Sequence, residues 1–134
     1  MSKKWFYGII IVLILLVFIL GKMFGGSKPF QALDANEIQA ISVKLIPPGE
    51  TFVLSETEIQ ELVSLLNDVV VYHEDDSFHE YAGQGVIFTI IRNNGLKTTV
   101  NANNPFIVIN NIGYQVKYTT CEKLSQFANG LRNN

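Results

Sequence analysis

Residues 86–102 read V-I-F-T-I-I-R-N-N-G-L-K-T-T-V-N-A, and this stretch decides the architecture. Val86 to Arg92 offers apolar side chains to both faces, the pattern of a central strand. Asn93-Asn94-Gly95 follows, and Asn-Gly adopts the positive φ values that a tight primed hairpin turn demands. Leu96 to Ala102 then runs back, with Leu96, Thr98 and Val100 on one side. Strands joined this tightly are antiparallel, so the fold grows around an antiparallel sheet.

Reading outward, Asn103-Asn104-Pro105 breaks the second strand and Phe106 to Ile109 makes a short buried one. Asn110 to Gly113 turns, after which Tyr114, Val116 and Tyr118 alternate inward against Gln115 and Lys117. Thr119 with Glu122 predicts the start of a last helix, whose inner stripe is Leu124, Phe127, Ala128 and Leu131. Upstream, residues 39–46 alternate with Ile41, Val43 and Leu45 on one face, a third strand type of signal. Asp34 with Glu37 marks a short helix or turn before it, and Pro47-Pro48-Gly49 turns the chain after it into a short strand, Thr51 to Leu54. Ser55-Glu56-Thr57-Glu58 is a capping box, and the helix behind it places Ile59, Leu62, Val63 and Leu66 on one stripe, ending near Asn67. Val69 to Tyr72 reads as a strand and His73 to Gln84 as a polar, acidic loop. The sum is α+β: an antiparallel sheet of about six or seven strands carrying two amphipathic helices over residues 34–134.

The N-terminus belongs to a different solvent. Residues 9–20 carry no polar side chain, and with Trp5 to Gly8 before and Gly21 to Phe24 after they make twenty positions. A helix of that length reaches about 30 Å, the thickness of a bilayer's hydrocarbon core. Trp5 and Tyr7 suit one interface, and Lys22 can snorkel at the other. The sequence therefore predicts a transmembrane signal-anchor helix over 1–24, contacting membrane lipid through residues 5–24, and a tether over 25–33. The competing reading is a cleaved signal peptide. It is disfavoured because the apolar run is at the long end for one and no A-x-A-like site follows. Lys3 and Lys4 precede the span, which favours a cytoplasmic N-terminus and an extracytoplasmic C-terminal domain in the cell membrane.

Composition bounds the function. With 48% hydrophobic and 16% charged residues the chain of 134 is not disordered, and a single Cys excludes a disulfide framework. Residues 29–134 hold six basic and twelve acidic groups, a net −6, so no nucleic-acid partner is expected. The densest polar cluster, His73, Glu74, Asp75, Asp76, His79 and Glu80, contains metal-ligand chemistry. Its spacing matches neither a zinc helix nor a calcium loop, and a solvated acidic loop is the simpler reading. Cys121 stands in the first turn of the last helix, where the dipole favours a thiolate and Glu122 opposes it. Gly83-Gln84-Gly85 lacks the following Lys and helix of a phosphate loop and reads as a turn into the central strand. The central strands present apolar residues to a second face that two helices do not cover. The 30–40 segment is the expected cover, with a protein-contact surface as the alternative.

The segments E-I-Q-A-I-S-V (37–43), L-S-E-T-E-I-Q-E-L (54–62), G-V-I-F-T-I-I-R-N-N-G (85–95) and F-I-V-I-N-N-I-G-Y-Q-V (106–116) resemble small membrane-anchored or secreted proteins of low-GC Gram-positive bacteria. Those are domains of unknown function, and the resemblance implies no catalytic, cofactor or metal residue. The functional expectation is an anchored protein-binding, sensing or accessory module with no catalytic activity and an unidentified protein partner. The alternatives are a structural membrane-proximal spacer and a metal-dependent envelope hydrolase using the 73–80 loop.

Overall fold

In a computed structural model that describes residues 2–80 and 85–133, the 86–102 hairpin pairs strand β3 (Gly85–Arg92) with β4 (Lys97–Asn103). Strand β1 (Ile38–Ile46) takes the other side of β3, and the short β2 (Thr51–Val53) pairs with β1 at the edge. Strands β5 (Phe106–Ile109) and β6 (Ile112–Gln115) continue beyond β4, giving the antiparallel order β2-β1-β3-β4-β5-β6.

Two helices, α2 (Glu56–Asn67) and α3 (Tyr118–Gly130), cover one face of this sheet. The register sets Val43 against Phe88 and Phe88 against Val100, so the alternating apolar positions of three strands meet in one layer. Leu62 and Leu66 of α2 and Leu124 of α3 close over that layer and are essentially inaccessible. Each such side chain contributes about 1.5–3 kcal/mol by leaving water. The α2 capping box forms in full: the Glu58 N–H donates to Ser55 Oγ at 3.3 Å and the Ser55 N–H to Glu58 Oε1 at 2.9 Å. Asp34 accepts from the Asn36 N–H at 2.9 Å and opens a single 3₁₀ turn, Ala35–Glu37.

Helix α1 (Lys3–Phe24) stands ahead of the sheet and is long and apolar enough to cross a membrane over Lys3–Gly21. None of that span is buried against the rest of the chain, unlike the core helix of a water-soluble fold. The side chain of Lys22 lies outside the described residues.

Several expectations are corrected. Val69 to Tyr72 is not a strand of the sheet; it runs irregularly, with only Val71 bridged, to Ser27. The 25–33 stretch is not a free tether. Phe30 and Leu33 are buried in the core, and Asn67 Nδ2 of α2 donates to both of their carbonyls, at 2.7 and 3.0 Å. The same contacts put the 30–40 segment on the helical side, so it does not cover the second face. Strand β6 starts and ends early, because Asn110 and Asn111 alone form the turn with φ of 49° and 69°. Gly113 therefore belongs to the strand, and Tyr118 is an exposed first residue of α3, capped at Lys117 without a side-chain bond instead of at Thr119.

Candidate functional site

The 73–80 loop is built onto the far edge of the sheet. Its backbone extends β6: the Tyr72 N–H donates to the Gln115 carbonyl at 2.9 Å, and the Gln115 N–H to that of His73 at 3.0 Å. The Asp75 N–H donates to the Gly113 carbonyl at 2.8 Å. A 3₁₀ turn, Asp76–Glu80, then folds Phe78 back over β6. Phe78 sits where a Cβ on Gly113 would be, so glycine is what admits the ring. Phe106 and Val108 are buried on this second face, so part of it is closed by the loop and not by the 30–40 segment.

The titratable side chains do not converge. The Asp75 carboxylate accepts from the Ser77 Oγ–H at 2.5 Å, the Ser77 N–H at 2.9 Å and Gln115 Nε2 at 2.8 Å. The Ser77 hydroxyl and amide above all, then Gln115, hold its pKa below the usual carboxylate value. His79 is exposed and stacks on Phe78 at 3.9 Å between ring centres. His73, Glu74, Asp76 and Glu80 point into solvent. Among the described residues no three His, Cys, Asp or Glu side chains come together as a metal ion requires. Asp75 is thus a folding residue, the acceptor that shapes the turn. Gly83 and Gln84 lie outside the described residues, and Gly85 opens β3.

Cys121 is buried, and its thiol donates to the Phe106 carbonyl at 3.2 Å. Burial pushes its pKa up to about 11, which overrides the helix dipole. Phe88 is core, while Tyr118 is exposed at one helix start, so these aromatics form no common stacking platform.

What remains open is the β2 end of the sheet. On the second face, Ile46, Val53, Ile87 and Ile91 interleave with Ser42, Lys44 and Thr89. Val53 is 77% exposed and Ile46 40%. No strand lies beyond β2 among the described residues, whereas the β6 edge is covered by residues 71–75. A cleft of about 400 Å³ adjoins this end, between Ile38, Gln39 and Leu54 on one side and Glu56, Ile59 and Gln60 on the other. Arg132 grips Glu50 through Nε and Nη2, both at 3.1 Å, and ties the C-terminal turn to the β1–β2 connection.

The most local feature that sequence reasoning misses is a clip. Ser27 and Val71 exchange two backbone hydrogen bonds, both 2.8 Å. Gly26 precedes it at φ +72°, its Cα facing Val70 and the Val71 carbonyl so closely that a Cβ would lie 2.6 and 2.9 Å from them. The Gly25-Gly26 pair was the available signal, and it reads equally as a flexible linker.

Comparison with known proteins returns no match to any family model, curated protein or solved structure.

Proposed function

We propose that this chain is a single-pass membrane protein whose α1 stays in the lipid as a signal anchor, N-terminus cytoplasmic, and whose acidic α+β domain binds a protein partner on the extracytoplasmic side. The span's length and full exposure support anchoring. Lys3, Lys4 and the terminal amine ahead of the span, against Lys22 and Lys28 behind it, favour the orientation, and the acidic domain does not oppose export.

The observation that carries binding is the asymmetry of the two sheet edges. One is covered by the protein's own chain. The other, β2, stays uncovered and carries the 77% exposed Val53 beside Ile46, Ile87 and Ile91. Apolar side chains gathered at an uncovered strand suit a protein contact. The reading is binding and not catalysis. The His73–Glu80 side chains act singly, and Asp75 is committed to Ser77 and Gln115.

The test is site-specific photocrosslinking in native membranes, with the reactive residue at Val53 and, as control, at Gln126, exposed on α3 opposite its buried stripe of Cys121, Leu124 and Ala128. A discrete adduct at Val53 and none at Gln126 is the expected result. Identical adducts at both positions, or none at Val53, overturn the binding surface.

A further inference from the structure

We propose that the sheet edge built by Ser27, Lys28 and residues 71–75 is a lipid-facing surface, held at the phospholipid headgroup layer, with β2 turned away from the membrane. The inference rests on the anchoring reading above and adds the orientation of the domain.

Chain length carries it. Helix α1 ends at Phe24, Gly25 caps it by donating to the Gly21 carbonyl at 2.8 Å, and Gly26 already seats against Val70. The 22 residues of α1 reach about 33 Å, which matches a hydrocarbon core of about 30 Å. Its last turn therefore lies at the boundary with the headgroups. From Phe24 to Ser27 the chain can advance at most about 10 Å even when fully extended. The headgroup layer on one side of a bilayer is about 5–8 Å thick. Ser27, and Val71 bonded to it in both directions, cannot leave that neighbourhood whatever angle the domain adopts.

The edge itself carries mixed charge, Lys28 against Glu74 and Asp75, and the Asp75 carboxylate is taken up by Ser77 and Gln115. Lys28 is exposed one residue beyond the clip, within reach of lipid phosphates. Tyr72, half-buried, is the residue type that favours the interface. The rest of the domain is net acidic, so anionic headgroups oppose its lying flat on a broad face. Five interstrand spacings of about 4.8 Å separate β6 from β2, which sets β2 about 24 Å along the sheet from the clipped edge.

The experiment uses the full chain in nanodiscs with a nitroxide on the lipid headgroup as quencher. One fluorophore is placed on Lys28→Cys or on Thr51→Cys; buried Cys121 stays unlabelled. Quenching several-fold stronger at position 28 than at position 51 is expected. A ten-residue Gly-Ser insertion between Gly25 and Gly26, spanning about 17 Å on average, should bring position 28 down towards position 51. Equal quenching at both sites, or no response to the insertion, overturns the proposal. Carbonate extraction separates the two claims. Release of the chain overturns the anchoring reading and this proposal together, whereas retention with equal quenching overturns the orientation alone.

Discussion

Gly113→Ala probes the contact that closes the β6 end of the sheet's second face. The added methyl meets the Phe78 ring and the Asp75 carbonyl oxygen. The ring can rotate, but the carbonyl is backbone, and it sits there because the Asp75 N–H is bonded to the Gly113 carbonyl at 2.8 Å. The clash therefore separates the 75–80 turn from β6 or bends the strand. Overpacking of this kind costs about 1–3 kcal/mol. A domain of this size loses about 4–8 °C of melting temperature per kcal/mol, so the midpoint should fall by about 5–20 °C. The assay is thermal melting of the full chain in detergent, followed by tyrosine near-ultraviolet circular dichroism. Tryptophan fluorescence would be uninformative, since the one Trp is Trp5 in α1. Phe78→Ala removes one of the two clashing groups, so Gly113→Ala should cost about 1 kcal/mol less in that background. A midpoint unchanged by Gly113→Ala would show that Phe78 does not pack on β6.

Other consequences are simpler. Ser55→Ala breaks the α2 capping box and should cost about 1 kcal/mol in the same melting assay. Cys121 should resist thiol reagents near about pH 8 until the domain is unfolded. Its folded pKa, raised to about 11, is above its unfolded value; the stability it confers is complete below about pH 9 and fades as pH rises through about 11. Cys121→Ala should remove that part of the alkaline loss. Asp75 has the opposite sign: its folded pKa is lowered, so its contribution is complete above its ordinary value and disappears as pH falls through the lowered one. Asp75→Asn should therefore flatten the acid limb of a stability–pH curve. Glu50→Gln should change stability by no more than about 1 kcal/mol, because both partners of the Arg132 pair are more than two-fifths exposed.

The sheet was legible where local pattern and tertiary need agree. Ile41, Val43 and Leu45 alternate because one side of β1 faces the helices, and Asn93-Asn94-Gly95 does turn β3 into β4, though not as the primed turn expected: of the three only Gly95 has a positive φ, 84°, and the two consecutive positive φ values of a primed turn fall at Asn110-Asn111. Ser55 and Glu58 announce α2 through bonds made within four residues. The illegible parts depend on partners far along the chain. Phe30 and Leu33 have no periodicity; their place is set by Asn67, more than thirty positions away. Phe78 is one aromatic in a polar loop, and only the glycine opposite it, at 113, reveals a lid. The 69–72 segment has a strand's composition, but its pairing is split between Ser27 on one side and Gln115 on the other. The acidic loop holds metal-ligand residue types without ligand spacing, because composition records which groups are near in sequence. It does not record that Ser77 and Gln115 occupy Asp75.

The central claim is that α1 remains in the lipid and carries the domain outside the cytoplasm. Labelling intact cells with a membrane-impermeant maleimide tests it directly, using Ser2→Cys and Thr51→Cys variants and reading the mass of the labelled chain. The account predicts a labelled Thr51→Cys chain of full length in the membrane fraction, and a Ser2→Cys chain that reacts only after the cells are opened. A labelled Thr51→Cys product shortened by the mass of α1, or labelling of Ser2→Cys in intact cells, would contradict it.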